Sequence, residues 1–194
     1  PSIDRLQEAH DLDFSVIGDR KLIYISLGSL NTDFVDFYKT CILAFRNTDY
    51  YVCMSIGKKC EVSQLGEIPL NFLVKSFLPQ LELLKRADVF ITHAGFNSVN
   101  EALYFGVPML ALPQVNDQHM VAKRLVSMQL GMTESIKDLS PEILRSKTET
   151  LIKERKIKEN CMLISREMRN FAGLEQTVWK LEKYVDACGE RRWE

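Results

Sequence analysis

The stretch FITHAGFNSVNEALYFGVPMLALPQVNDQ, residues 90–118, decides the predicted fold. It continues an apolar strand predicted over Val89–Thr92, and a turn of small residues leads from that strand into a helix. Gly106-Val107-Pro108 is predicted to end the helix, because glycine and proline both interrupt helical backbone. A second strand is predicted over Met109–Leu112. Strand, helix and strand in this order favour a parallel sheet.

The turn between the first strand and the helix has the composition of an anion site. A helix that starts directly after a strand points free N–H groups and the positive end of its dipole at one place, which favours a phosphate. Gly95 would let a ligand approach the backbone closely. Asn97 or Ser98 can cap the helix and still offer a hydrogen bond outward.

Carboxylates and an amide follow at positions that suit the hydroxyl groups of a sugar. Glu101, one turn into the helix, can accept hydrogen bonds from two hydroxyls, as a ribose diol requires. Asp117 and Gln118, in the loop after the next strand, offer a carboxylate and an amide to further hydroxyls. Phosphate, ribose and sugar together predict a nucleotide-sugar site.

This stretch resembles the donor-site signature of the family 1 UDP-dependent glycosyltransferases, which have two facing Rossmann-like domains in the GT-B architecture. The matching residues are His93, Ala94, Gly95, Asn97, Ser98, Glu101, Gly106, Pro108, Pro113, Asp117 and Gln118. So many residue types at fixed spacing make the match specific. The segments YISLGS, MSIGKK, GEIPLNF and FLPQLELLKRADVFITH are most similar to the bacterial macrolide-type branch. The resemblance covers roughly residues 20 to 185 and only the C-terminal half of a family member.

The resemblance implies roles for residues outside the central stretch. Gly28 and Ser29 correspond to a loop that contacts the donor diphosphate, and His93 is implied to be a further donor to it. Phe77 stands where the family has a tryptophan that stacks on uracil. This departure leaves the base preference open between UDP and TDP.

The two remaining donor contacts that the resemblance implies follow Phe77. The main-chain N–H and C=O of Leu78 would bind the uracil edge, and Gln80 would hold base or ribose. No metal and no cofactor other than the UDP-sugar donor is implied. Asp117 and Gln118 favour glucose-like over galactose-like hydroxyl geometry, so UDP-glucose is the first expectation. The choice of glucose against N-acetylglucosamine or glucuronic acid stays open.

Composition and the distribution of apolar residues exclude several other classes of protein. The chain has 194 residues and a net charge of −1, so it lacks the basic footprint of a nucleic-acid partner. No apolar run approaches the ~20 residues of a membrane span. Five cysteines without a CxxC spacing predict reduced thiols and a cytoplasmic protein. Cys41 and Cys53 fall on predicted apolar faces and are expected in the core.

Alternating strands and helices predict an α/β domain with a Rossmann-like parallel sheet of about six strands and helices on both faces. Ligands of such sheets bind beyond the carboxyl ends of the strands, where all the motifs above lie. Three segments are predicted: a linker over 1–20, the donor-binding domain over 21–173, and a C-terminal helix over 174–194. Apolar residues recur at helical spacing in the last segment, at Leu174, Val178, Leu181 and Val185, with Trp179 and Tyr184 nearby. This helix is expected to pack on the N-terminal domain.

The resemblance places the general base of the family, a histidine, in an N-terminal acceptor domain. No residue of this chain is assigned a catalytic role, and His10-Asp11 is no substitute. The expectation is therefore the donor-binding half of an inverting hexosyltransferase with a small-molecule acceptor, inactive as a fragment. Two alternatives stay open: a donor subunit that works with a separate acceptor subunit, and a non-catalytic nucleotide-binding module. A GT-B epimerase is a third and weaker alternative.

Overall fold

The protein folds around one six-stranded parallel sheet. The structure, a computed structural model, describes residues 14–28, 34–170, 173, 178, 179 and 183. The strands are β1 (Leu22–Ser26), β2 (Tyr51–Ser55), β3 (Phe72–Lys75), β4 (Val89–Thr92), β5 (Met109–Ala111) and β6 (Gly131–Thr133). Their order in the sheet is β3-β2-β1-β4-β5-β6. The strand β1 therefore lies in the middle of the sheet. The strands β2 and β3 follow on one side of it, and β4, β5 and β6 follow on the other.

Helices connect the strands and cover both faces of the sheet. They are α1 (Val35–Phe45), α2 (Gln80–Leu84), α3 (Phe96–Phe105), α4 (Asn116–Ser127), α5 (Pro141–Lys153) and α6 (Arg155–Asn170). Two 3-10 helices, Phe14–Ile17 and Val62–Leu65, complete the described elements.

Each face of the sheet carries its own core. On one face, Ile23 and Ile25 pack with residues of α1 and α5, among them Phe45 and Leu144. On the other, residues of α2, α3, α4 and α6 pack against the strands, and Tyr24 belongs to this core. Every residue of β1 is buried, which explains why its sequence, LIYIS, shows no polar alternation.

The two halves of the sheet are joined at its centre by Asp88, which directly precedes β4. Its carboxylate accepts a hydrogen bond of 3.0 Å from the N–H of Leu22 and one of 3.1 Å from the ammonium group of Lys21. One side chain thereby fixes the start of β1 beside the start of β4. The carboxyl ends of the two strands consequently lie together as well.

The predicted fold class is confirmed. The strand predicted over Val89–Thr92 is observed with those bounds, and the one predicted over Met109–Leu112 ends one residue earlier, at Ala111. The region predicted as a linker, 1–20, is described only from Phe14, and there it forms a 3-10 helix whose Ile17 is buried in the core. The second 3-10 helix, Val62–Leu65, lies in the connection between β2 and β3. Cys41 and Cys53 are buried, as predicted.

Most of the predicted C-terminal helix lies outside the described residues, including Leu174, Leu181, Tyr184 and Val185. Positions 178, 179 and 183 are helical, and both Val178 and Trp179 are exposed. The expected packing of this helix on an N-terminal domain stays a prediction.

We expect Ser140→Ala to lower the free energy of unfolding by about 1 kcal/mol. Ser140 is the N-cap of α5, and its hydroxyl accepts a hydrogen bond of 3.2 Å from the N–H of Ile143. Without this hydroxyl, the N–H of Ile143 can donate only to water. Urea denaturation checks the change, with Ser146→Ala in the exposed middle of α5 as the control. Equal stability of the two variants would contradict the cap.

Candidate functional site

A cleft opens at the carboxyl ends of β1 and β2, beside the place where the order of the strands reverses. In open parallel sheets this reversal is where ligands bind, because the loops on its two sides diverge and leave a crevice. The cleft encloses about 450 Å³. Its lining comes from four separate segments: Tyr24, Ser26, Gly28, Ser55, Gly57, Lys58, Ser76, Phe77, Leu78, Gln80, Asn97, Ser98 and Glu101.

Phe77 marks one end of the cleft, in the segment between β3 and α2. Its side chain is 53% exposed, whereas the neighbouring Leu78 is 1% exposed. The main chain holds this segment against the end of β2, since the N–H of Gly57 donates to the carbonyl of Ser76 over 2.9 Å. An aromatic ring of this exposure on a fixed backbone can stack on a planar ring without rearrangement.

The N–H of Leu78 already has a partner, contrary to the simple expectation that it is free for a base. It donates to the side-chain oxygen of Ser55, at the end of β2, over 2.9 Å. A base edge can accept from this N–H only by sharing it with Ser55 or by displacing the serine hydroxyl. The bond arises because β2 and β3 are neighbours in the sheet.

Glu101, on the second turn of α3, is a buried carboxylate and not an exposed helix residue. It is 7% exposed, and its Oε2 atom accepts a hydrogen bond of 2.6 Å from Nε2 of Gln80. The same Nε2 lies 3.3 Å from Oγ of Ser98, and Oε1 of Gln80 accepts from the hydroxyl of Tyr24 over 3.3 Å. These side chains form one hydrogen-bonded cluster on the floor of the cleft.

The start of α3 differs from the prediction. The helix begins at Phe96, so Gly95 occupies the N-cap position and makes no side-chain cap. Asn97 and Ser98 lie inside the first turn and line the cleft, so the expectation that one of them caps the helix is wrong. The first-turn N–H groups of α3 therefore have no capping side chain, which leaves them for an anion.

His93 fills the space between two glycines beside this helix start. A Cβ atom on Gly28 would lie 2.8 Å from Cε1 of His93, and one on Gly95 would overlap Nε2. Gly28 also has a φ of +85°, which favours glycine. Gly95 has an ordinary φ of −63°, so it is needed for space alone, and the group it admits is the histidine ring.

Burial lowers the pKa of His93 below its ordinary value of 6.5, although the Asp117 carboxylate and the nearby main chain of Ser26 oppose this effect. The ring is therefore neutral at pH 7. Its Nδ1 atom is buried and makes no well-formed hydrogen bond with a described residue. A neutral imidazole donates through one N–H, and an anion bound beside it would raise its pKa.

Asp117 and Gln118 lie in the first turn of α4, which begins at Asn116. Asp117 is exposed and near enough to His93 to affect its pKa. It is not the helix cap, because Val115 occupies that position. The side-chain carbonyl of Gln118 accepts from the N–H groups of Gln114 and Val115 over 2.9 and 3.3 Å, so Gln118 holds the β5–α4 loop in place.

The comparisons with known proteins agree on the family. The family model described as "UDP-glucoronosyl and UDP-glucosyl transferase" matches residues 7–185. The chain belongs to the UDP-glycosyltransferase family. Its sequence is 31% identical to the uncharacterized UDP-glucosyltransferase YdhE of Bacillus subtilis, over 95% of this chain and 47% of that protein. It is also 31% identical to the oleandomycin glycosyltransferase of Streptomyces antibioticus, over 90% of this chain and 41% of that protein.

Solved structures of glycosyltransferases share the fold. The crystal structure of the glycotransferase of kitacinnamycin superposes with a TM-score of 0.83 and 33% identity, over 90% of this chain and 46% of that one. The chain therefore spans less than half the length of these relatives. Among the residues that the structure describes, no helix is both long and apolar enough to cross a bilayer.

Most residues singled out from the sequence meet around the cleft. Seven of them line it: Gly28, Phe77, Leu78, Gln80, Asn97, Ser98 and Glu101. His93 and Gly95 lie directly behind Gly28, and Asp117 lies near His93. Ser29 lies outside the described residues.

Sequence reasoning missed six residues that line the cleft: Tyr24, Ser26, Ser55, Gly57, Lys58 and Ser76. Two of them carried a usable signal, because Ser26 and Ser55 each end an apolar strand with a hydroxyl at the edge where ligands bind. Tyr24 carried no such signal, since a tyrosine inside an apolar strand is expected to be a core residue.

We expect Gly95→Ala to raise the pKa of His93 toward 6.5, because the added methyl group must push the ring out from behind the helix start into water. Two-dimensional NMR titration of the histidine rings measures this, with His93→Gln to assign the signal. Gly66→Ala is the control for a Gly→Ala change that displaces no side chain: its φ of +81° makes alanine strain the local backbone, but no atom lies within 4 Å of the added Cβ. An unchanged His93 pKa in Gly95→Ala would show that the ring does not depend on this glycine.

Proposed function

We propose that this chain is the UDP-sugar-binding half of an inverting glycosyltransferase that transfers a hexose, glucose in the first instance, to a hydroxyl group of a small-molecule acceptor. The observation that carries the proposal is the buried Glu101, held by Gln80 in a cleft that the exposed Phe77 and the first turn of α3 also line. A carboxylate that is buried with one oxygen bonded can offer the other to the hydroxyls of a ribose.

The order of groups along the cleft supports a nucleotide sugar. Phe77 suits a base and Glu101 suits a ribose, while His93 and the start of α3 suit a diphosphate. Asp117, beyond His93, suits the hydroxyls of a hexose. The diphosphate would be held by His93 and by the N–H groups and dipole of the helix start, in a cleft that the cationic Lys58 also lines, so we propose that donor binding requires no metal.

In the proposed reaction, the acceptor hydroxyl loses its proton to a base and its oxygen attacks the anomeric carbon of the hexose. The bond from that carbon to the phosphate oxygen breaks, and UDP leaves on the opposite side, which inverts the anomeric centre. This chain would stabilise the developing charge on UDP through His93 and the start of α3. The base and the acceptor pocket belong to an N-terminal domain in the proposal, so this chain alone is expected to turn over no substrate.

The central test is calorimetric titration with UDP, TDP and ADP in the presence of EDTA. We expect UDP to bind at least ~10-fold more tightly than ADP, a difference of about 1.4 kcal/mol. Glu101→Gln should weaken UDP by ~10-fold or more, because hydrogen bonds to a charged acceptor contribute about 1.5–3 kcal/mol. Equal affinities for UDP and ADP would remove the uracil assignment, and an unchanged affinity in Glu101→Gln would remove the ribose assignment.

A second titration separates the sugar from the nucleotide. We expect Asp117→Ala to weaken UDP-glucose several-fold and to leave UDP nearly unchanged, since the exposed Asp117 lies beyond the diphosphate groups. Gln118→Glu keeps the oxygen that holds the loop but loses the NH2 group. A loss confined to UDP-glucose in Gln118→Glu therefore assigns that NH2 to the hexose.

Two outcomes of this titration would contradict the proposal, the first for the whole chain and the second for Asp117 alone. If the wild-type chain binds UDP and UDP-glucose equally, and neither variant changes this, the sugar is not recognised. The chain would then be a nucleotide-binding module. If Asp117→Ala weakens both ligands alike, Asp117 acts on the loop and not on the hexose.

A further inference from the structure

Tyr24 brings a hydroxyl group to the floor of the cleft from the central strand of the sheet. Its ring is buried, with 1% exposed, and stacks on Phe90 with centroids 4.8 Å apart and planes 7° from parallel. Phe90 lies on β4, which pairs with β1, so the two central strands fix the ring. The hydroxyl at its tip donates to Oε1 of Gln80 over 3.3 Å.

The groups around Gln80 allow only one orientation of its amide. A carboxylate only accepts hydrogen bonds, so the NH2 group of Gln80 must face Glu101, at 2.6 Å. The carbonyl oxygen of the amide then faces Tyr24, which must donate. Burial raises the pKa of Tyr24 well above its usual value of 10.0, although the hydroxyls of Ser26 and Ser55 oppose this, so the phenol keeps its proton.

We propose that Tyr24 is a positioning residue for ribose recognition: its hydroxyl fixes the amide of Gln80, which in turn fixes the carboxylate of Glu101. This inference rests on the proposed function, in which Glu101 binds the ribose diol. Gln80 occupies Oε2 of Glu101, and Oε1 is the oxygen left for the ligand. A hydroxyl on the central strand thus sets the direction in which the carboxylate faces the cleft.

Removal of this hydroxyl should affect one part of the ligand more than the others. Oε1 of Gln80 would lose its donor, and the amide could rotate and release Glu101. Binding of the diphosphate uses His93 and the start of α3, neither of which bonds to Tyr24. The tyrosine hydroxyl also interacts with Ser55, which accepts from the N–H of Leu78 at the base end of the cleft. An effect there changes the affinity of every ligand with the same base alike and cancels in a ratio of affinities. The loss should therefore appear as a smaller preference for ligands that carry ribose hydroxyls.

The experiment compares UDP with 2′-deoxy-UDP and 2′,3′-dideoxy-UDP by calorimetry, in the wild-type chain and in Tyr24→Phe. We expect the wild type to prefer UDP and Tyr24→Phe to reduce that preference by ~5–10-fold, the loss for one hydrogen bond in a cluster with a charged acceptor. Phenylalanine keeps the stack on Phe90. Gln80→Ala should reduce the preference similarly, and the double variant should lose little more, because both changes break the same chain of bonds.

Tyr38→Phe is the matched control. Tyr38 is also a fully buried tyrosine, but it lies in the core on the opposite face of the sheet. Its hydroxyl has no hydrogen-bond partner among the described residues. Tyr38→Phe should leave the preference for UDP unchanged.

Three results would overturn the inference. One is a Tyr24→Phe variant that weakens all three ligands equally, which means a purely structural role. Another is a variant that keeps the full preference, and the third is a wild-type chain that binds UDP without distinguishing the deoxy ligands. A wild-type chain that binds no UDP at all would instead be the failure of the proposed function.

Discussion

A carboxylate buried at the end of a parallel sheet must be compensated, and the cleft is arranged around that requirement. Glu101 is 7% exposed, and a charge buried without partners costs several kcal/mol. Its partner, Gln80, comes from the segment after β3, while Glu101 itself lies on the helix after β4. One hydrogen bond therefore joins the two halves of the sheet where their order reverses.

The fold could be predicted from the sequence because its signals are local. Unbroken apolar runs such as Leu22–Ser26 indicate buried parallel strands, and glycine and proline mark their ends. Gly106 ends α3 in the left-handed conformation, as its position before Pro108 predicts. The convergence of motifs on one edge followed from the rule that parallel strands share their carboxyl ends.

The finer geometry of the site depends on contacts between distant segments, which spacing does not encode. The bond from Leu78 to Ser55 joins segments 23 residues apart, and the one from Tyr24 to Gln80 spans 56. The structure also gives Gly95 a role that its sequence interpretation did not include. The missing Cβ makes room for the ring of His93, so the glycine and the histidine of this turn are a single unit. Composition and spacing do not reveal such a pair, because the pair is defined by the contact between the two residues in the folded chain.

The bond between Leu78 and Ser55 has a consequence for selectivity. A base that enters beside Phe77 exchanges one satisfied hydrogen bond for another, so the edge contact adds little net free energy. A base of the wrong shape, however, would break the bond to Ser55 without replacing it and leave a buried N–H unpaired, which costs about 1–3 kcal/mol. In the proposed function, the serine would thus make this end of the cleft reject poor ligands more strongly than it retains good ones. In a transferase, such an arrangement suits a nucleotide that must be recognised on arrival and released after every turnover.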